Sequence, residues 1–305
     1  MAIFDVEADL IDNNKWYAQK YYNANPSTFR NPIVYDMNVS DLDVVPITTE
    51  FSSTPQLTNS ATQVVRNNTS KDQSQTVLFS EKSIETFSRS TTEGYKIGSS
   101  IKSTTSFKVK VGFLVSGEIN QSIEVAITGE YNHSSTETTT TTNEKLWQVT
   151  QPVIIPPYTQ VTATLQIFSG PFVVPAKTKA TIQGKGTNNG AYNFASAITY
   201  TDNSGRVYTD RNRAQALYTD RNEWPGYKRI YVGGSSSTDP TGLLRLEGEA
   251  RITAQVGLYA VTEFRESPLP GYAGVGSNRT YYAPNILLGD GSVIQFPEYQ
   301  RYLQR

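Results

Sequence analysis

The residues able to make or break bonds are few. The chain has one histidine, His133, and no cysteine. A Ser-His-Asp relay would have to run through that one imidazole, and thiol nucleophiles, disulfides and thiolate metal sites are excluded. His133 stands between Asn132 and Ser134 in a polar run, where a solvated ring is expected rather than a catalytic one. A histidine-based zinc site is ruled out by number, and no glycine loop has phosphate-cradling spacing. Asp41-Leu42-Asp43 has calcium-ligand chemistry but reads first as a polar turn. No pair of carboxylates is singled out for glycosidase work. These residue types point away from an enzyme, and no cofactor or metal is expected.

The spacing supports a different chemistry, that of a two-faced strand, in residues 107–131. Phe107, Val109, Val111, Phe113 and Val115 alternate with Lys108, Lys110 and Gly112 on the way out. Ile119, Ile123, Val125, Ile127 and Tyr131 alternate with Asn120, Ser122, Glu124, Thr128 and Glu130 on the way back. Period-2 alternation marks a strand with one apolar and one polar face. Both apolar sets are odd-numbered, so the loop between them must have odd length. Ser116-Gly117-Glu118 supplies it, with Gly117 free to take positive φ. Val115 then faces Ile119, Val111 faces Ile123, Val109 faces Val125, and Lys110 faces Glu124 as a cross-strand pair. Leu114 and Gln121 break the alternation near the tip. Each arm approaches the ~9–11 residues of a tilted transmembrane strand. One hairpin cannot span a bilayer, because its edges leave backbone groups unpaired, whereas a ring of hairpins closes them. An ordinary β-sandwich hairpin shows the same alternation, and alternation alone points there first.

The elements around this hairpin must therefore decide. At 305 residues the chain has material for one elongated domain or two to three small ones. The net charge of −1 gives no sign of nucleic acid or anionic lipid as a main partner. Nineteen tyrosines and frequent Ser, Thr and Asn describe a β-rich composition. The opening Met1-Ala2-Ile3-Phe4-Asp5 has neither a basic nor an apolar leader region, so no secretory signal is expected. No apolar run nears the ~20 residues of a membrane helix, and a soluble product is expected. Helix is expected only near the start, in two short pieces: one capped by Asp5, the second following Asn13-Asn14. From 51 to 93 the Ser/Thr-rich sequence predicts long exposed strands turning near Asn67-Asn68 and Lys71-Asp72. The threonines of 136–142 are read as prolonging the return arm in a solvated ribbon. Pro156-Pro157 forces a change of direction before an alternating strand over 161–167. A further long strand spans 244–261, and Gly289-Asp290-Gly291 signals a late hairpin. The pentad Tyr208-Thr209-Asp210-Arg211-Asn212 recurs as Tyr218-Thr219-Asp220-Arg221-Asn222, too little for a repeat architecture.

Together these features resemble a known family. Ser/Thr-rich strands flank the hairpin, and Gln151-Pro152-Val153-Ile154-Ile155-Pro156-Pro157 runs into 161–167 and 170–175. With the late strand 248–263 they look like the aerolysin-type β-pore-forming toxins, in the branch holding clostridial epsilon toxin, the mosquitocidal toxins and insecticidal crystal proteins. The resemblance covers roughly 55–185 and 241–266. It implies a mainly β, elongated molecule of long twisted antiparallel strands, with a small head carrying short N-terminal helices. It further implies a pore-forming and assembly region over 55–185 with 241–266, and a membrane-insertion hairpin over 102–134 within it. Residues 1–54, 186–240 and 267–305 are left for a receptor-binding head. The implied partners are a target-cell membrane, a surface receptor (glycan or protein) and further copies of the chain, which is expected to be made soluble or as a spore-associated inclusion and to act outside the producing cell. In the inserted barrel Phe107, Val109, Val111, Phe113, Val115, Ile119, Ile123, Val125 and Ile127 would meet lipid. Lys108, Lys110, Ser122, Glu124, Thr128 and Glu130 would line the lumen. The C-terminal stretch, with Arg265, Arg279 and Arg301, is expected to be a protease-removable segment that limits assembly.

The competing reading is a lectin-like β protein that forms no pore. Trp16, Tyr17, Tyr208, Tyr218, Trp224 and Tyr227, with Tyr21, Tyr22 and Tyr231, fall outside the strand-rich region. Exposed aromatic rings stack on sugars and fill interface hot spots. Core packing in a small head accounts equally well for any one of them.

Overall fold

The computed structural model describes residues 2–98, 101–117, 119–187, 190 and 193–295. Strand β1 (Ala2–Asp5) runs into helix α1 (Val6–Tyr22). Then come β2 (Arg30–Val34), β3 (Met37–Pro46), β4 (Glu50–Ser52), β5 (Gln56–Asn67) and the long β6 (Gln73–Lys96). The alternating arms form β7 (Lys102–Val115) and β8 (Ile119–Asn132), followed by β9 (Thr139–Ile155) and β10 (Thr159–Gly184). After β11 (Ser196–Thr201), β12 (Val207–Asn212), α2 (Ala216–Thr219) and β13 (Tyr231–Gly234) comes the last long strand, β14 (Leu244–Pro268). Three short strands close the described chain: β15 (Thr280–Tyr282), β16 (Asn285–Leu288) and β17 (Val293–Gln295).

The main sheet has the order β1-β6-β14-β10-β3, with β9 added to β6 and β5 to β10. β10 has 26 residues and pairs antiparallel with β14 along nearly its whole length. At about 3.3 Å per residue such a strand reaches roughly 85 Å, which makes the molecule the elongated, mainly β, aerolysin-like body expected. At one end the β6/β9 ribbon lays Val77, Phe79, Trp147, Val149, Val153 and Ile155 onto Val161, Ala163, Leu165 and Ile167 of β10. Asn67 joins the two turns there, its Nδ2 donating to the carbonyls of Lys71 (2.7 Å), Ile155 (2.9 Å) and Pro156 (3.0 Å). Both turns, between β5 and β6 and at the double proline, fall where expected.

Four features differ from expectation. The N-terminal helix is one piece, because Asn13 and Asn14 do not break it. Both are fully buried, Asn13 Nδ2 donating to Asp220 (3.0 Å) and Asn14 Nδ2 to Ser196 (3.3 Å). Tertiary partners replace the local backbone bonds that make asparagine a helix breaker. A second helical turn, α2, lies outside the N-terminal region. The threonine run does not extend β8, which ends at Asn132; Thr139–Thr142 instead open β9 against β6. Finally, the described part of the C-terminal stretch lies along the trunk, not against α1. β6 leaves the edge of β14 after Gln255, and β16 and β15 take that edge over from Tyr259 to Arg265.

Candidate functional site

β7 and β8 pair over fourteen positions, from Lys102↔Asn132 to Val115↔Ile119. Val111 faces Ile123, Val109 faces Val125 and Lys110 faces Glu124, as the alternation required. Ser116 and Gly117 carry the turn with φ of 51° and 77°; Glu118, its third residue, lies outside the described residues. On the odd face Val109, Val111, Phe113, Val115, Ile123, Val125 and Ile127 are buried, and Phe107 and Ile119 are half-buried at the margins. They pack on Phe172 and Val174 of β10, on Ile252, Val256 and Leu258 of β14, and on Ile286 and Leu288 of β16. Phe113 stacks on Tyr259 at 5.8 Å. On the even face Lys108, Lys110, Glu124, Thr128 and Glu130 are exposed and Ser122 is half-exposed. The two exceptions stay local, with Leu114 exposed and Gln121 half-buried.

Polar contacts on the even face are internal to the hairpin. Lys108 pairs with Glu124 at 2.5 Å and Lys102 with Glu130 at 2.7 Å, while Ser106 and Thr128 share a 2.9 Å hydrogen bond. Glu124 thus reaches diagonally to Lys108 rather than across to Lys110. These pairs are exposed and add little stability, but they travel with the hairpin wherever it goes. Contacts to the rest of the chain are apolar packing, the backbone bonds between β4 and β7, and a few bonds at the root. There Arg89, buried, donates from Nη2 to the Thr128 carbonyl (2.6 Å) and from Nη1 to Thr141 (2.9 Å). Thr91 donates to the Asn132 carbonyl at 2.7 Å, and Tyr131 donates to the Ser90 carbonyl at 2.5 Å. Among the described residues β7 and β8 share a sheet with β4 alone, apart from the main sheet.

His133 is buried at 0% exposure, which corrects the solvated ring expected. Its Nε2 lies 2.7 Å from Ser103 Oγ and its Nδ1 3.3 Å from Tyr95 Oη, with Tyr131 edge-on at 5.6 Å. Burial pushes its pKa down to about 4. Among the described residues no carboxylate bonds to either ring nitrogen, and the ring does not line the cleft described below; it packs the hairpin root. Among the described residues no group of three or more acidic, histidine or cysteine side chains is placed to hold a metal ion, and no helix is long and apolar enough to cross a membrane.

The head gathers α1 against the three-stranded sheet β12-β11-β2. Its aromatic residues divide. Tyr17, Tyr21 and Tyr22 cluster on α1 with ring centroids 4.7 and 5.9 Å from Tyr17, and Tyr21, Tyr22 and Tyr208 are exposed by 48, 50 and 41%. Tyr17 and Tyr22 border a cleft of about 370 Å³ whose walls include Asp210 and Asp220, both with carboxyl pKa values raised by burial. Trp16 and Tyr218 are half-buried, Trp16 beneath Lys20 and Tyr218 beneath Arg221. Trp224 is 3% exposed and packs in the head core beside half-buried Tyr227, which donates to the Tyr231 carbonyl at 2.9 Å. Trp224 therefore has no surface to offer a receptor. The helical spacing of Tyr17, Tyr21 and Tyr22 was the sequence signal for the exposed group.

Known proteins share this architecture. The sequence profile of the family Clostridium epsilon toxin ETX/Bacillus mosquitocidal toxin MTX2 matches residues 13–276. Pesticidal crystal protein Cry15Aa of Bacillus thuringiensis subsp. thompsoni is 35% identical over 277 residues, covering 89% of this chain and 75% of that one. A chain in the crystal structure of the Cry23Aa1 and Cry37Aa1 binary protein complex superposes with a TM-score of 0.62 at 26% identity, covering 94% of this chain and 100% of that one. A non-toxic crystal protein from Bacillus thuringiensis reaches a TM-score of 0.66 at 15% identity over 88% of this chain and 99% of its own, a likeness of fold.

Proposed function

This chain belongs to the Clostridium epsilon toxin ETX/Bacillus mosquitocidal toxin MTX2 family, and from that premise we propose that it is an insecticidal pore-forming toxin. The head binds a target-cell surface, copies of the chain assemble, and each contributes its β7/β8 hairpin to one transmembrane β-barrel. The family is one of toxins, not enzymes.

The observation that carries this reading is the way the hairpin is held. It is a complete two-stranded unit, polar on one face with its own ion pairs and apolar on the other, laid on the main sheet by side-chain packing. Exposing that apolar face to water would cost on the order of 10 kcal/mol or more, at about 1.5–3 kcal/mol per large side chain. Lipid offers the odd face an apolar surrounding again, while the lumen keeps the even face wet. Ladder hydrogen bonds between neighbouring hairpins supply the rest, because a closed barrel leaves no unpaired edge.

The absence of cysteine makes the test direct. Single cysteines carrying a polarity-sensitive dye are placed along both arms, and protein is added to dye-loaded liposomes before and after mild trypsin treatment. Labels at 109, 111, 123 and 125 should report lipid, and labels at 108, 110, 122 and 124 water, together with leakage. If Val109 and Lys108 respond alike, the hairpin does not line a barrel.

The exposed tyrosines and the Tyr17/Tyr22 cleft favour a second reading, carbohydrate recognition by the head without pore formation. The two are compatible in one molecule. Binding to cells without leakage would leave the lectin-like function standing alone.

A further inference from the structure

The segment between β3 and β5 does something that the strand order does not require. β3 pairs with β10 from Ala176 to Gly184, and β5 pairs with β10 from Thr159 to Ser169. Between those stretches the chain could have continued along the same edge, but it leaves. The cause lies in β10. The Pro175 carbonyl accepts from Ile47 N (2.9 Å) and the Pro171 carbonyl from Ser53 Oγ (2.9 Å), so both prolines face the passing chain. A strand residue presents its N and its C=O to the same edge, so two donors are missing there.

Released from β10, the chain crosses to the hairpin. β4 pairs in parallel with β7: Glu50 with Lys110, Phe51 with Val111, Ser52 with Gly112. Lys110 N donates to the Thr49 carbonyl (2.7 Å) and Ser53 N to the Gly112 carbonyl (2.9 Å). Phe51 turns inward beneath the hairpin, its ring 6.0 Å from that of Phe172. β4 therefore occupies the outer edge of β7, while the outer edge of β8 carries no strand among the described residues.

We propose that residues 47–55 are an intramolecular latch, and that the edge of β7 they cover is the docking surface for β8 of a second copy of this chain. The inference rests on the barrel reading above. In a ring of hairpins β7 of one copy must pair with β8 of the next, so β4 sits where the neighbour has to go. A capped edge keeps isolated molecules from pairing prematurely. Three parallel pairs are a weak cap, to be exchanged for a much longer antiparallel ladder. Phe51 is the latch's one apolar anchor in the core shared with the hairpin.

A disulfide tests this in a chain with no other thiol. The pair Ser52→Cys/Gly112→Cys joins residues that face one another, and a Cβ at Gly112 meets nothing closer than 3.6 Å. Trypsin-treated protein is added to phosphatidylcholine–cholesterol vesicles loaded with carboxyfluorescein. The oxidised variant should leak at least tenfold more slowly than the same variant reduced, form no oligomer stable in detergent, and recover on adding reductant. Equal rates overturn the latch and leave the pore standing. If the reduced variant is itself silent, Phe51→Ala decides: its leakage should begin several-fold earlier than that of the native chain, and an equal or later onset overturns the proposal. Failure of the native chain to leak under any of these conditions would instead remove the pore reading, and the latch with it.

Discussion

His133 sits beyond the apolar arms, where the hairpin meets the main sheet, and its burial gives the molecule a sign in its response to acid. The ring is held neutral among Tyr95, Tyr131 and Ser103, with Asp43 the charge that opposes the downward shift. An unfolded chain takes up the proton near pH 6.5, the folded one only near pH 4. The contribution of His133 to stability is therefore whole above pH 6.5 and is lost as pH falls toward 4, a loss of about 3 kcal/mol at 1.36 kcal/mol per pKa unit. Thermal melts should fall between pH 7.5 and pH 4.5, and His133→Gln should flatten that fall. An unchanged slope in the variant would place the titration elsewhere. Neighbouring sequence did not reveal this burial, because Asn132 and Ser134 are polar and Tyr95, which meets the ring at Nδ1, comes from β6.

At the scale of elements, the C-terminal strands matter to the hairpin because they share its core. Ile286 and Leu288 lie beneath the odd face, and β15 and β16 cap the edge of β14 that β6 leaves open. One ion pair anchors the start of this segment: Glu266, fully buried, meets Arg279 Nε at 2.9 Å, close in charge but not aligned as a hydrogen bond. Arg279 is itself 61% exposed, so solvent screens the pair and removing it costs less than the roughly 3–5 kcal/mol of a fully buried pair. Arg279→Ala should lower the melting temperature modestly, speed chymotryptic cleavage within the tyrosine-containing tail (the substitution itself removes a tryptic site) and raise oligomer yield. Glu266→Gln/Arg279→Ala should regain much of the stability. If Arg279→Ala releases the tail without any gain in oligomer, the tail does not restrain assembly. Strands of three or four residues hold too few side chains for periodicity to show, which is why sequence grouped this segment with the head.

For the whole molecule, the proposed function divides into two tasks. One region holds the hairpin, and α1 with its small sheet presents aromatic side chains elsewhere. Replacing Tyr21, Tyr22 and Tyr208 with Ala should weaken binding to target cells several-fold while leaving the melt and high-dose liposome leakage unchanged. Trp224→Ala should instead open a cavity in the head core and cost about 3–5 kcal/mol, seen as a lower melting temperature. Unaltered cell binding by the triple variant would move recognition off this face.

What sequence determined by itself was everything written in period two or in prolines and turn residues. The alternation of 107–115 with 119–127 specified both faces, the register and the odd loop, because a one-residue slip would turn every side chain over. The Asn67-Asn68 turn and the double proline set where β5 and β9 end and where β6 and β10 begin. Tertiary structure decided what depends on residues far apart in the chain. The pentad Tyr-Thr-Asp-Arg-Asn is strand at 208–212, but at 218–222 it starts in α2 and continues as turn. Identical side chains cannot choose between those conformations locally: β11 pairs with the first copy, and in the second Asn13 of α1 donates to Asp220. Phe51 meets the hairpin where Pro171 and Pro175, more than a hundred residues later, offer the passing chain no N–H donor. Local pattern carries the shape of an element; which edge that element covers is settled by the backbone groups its distant neighbours leave unpaired.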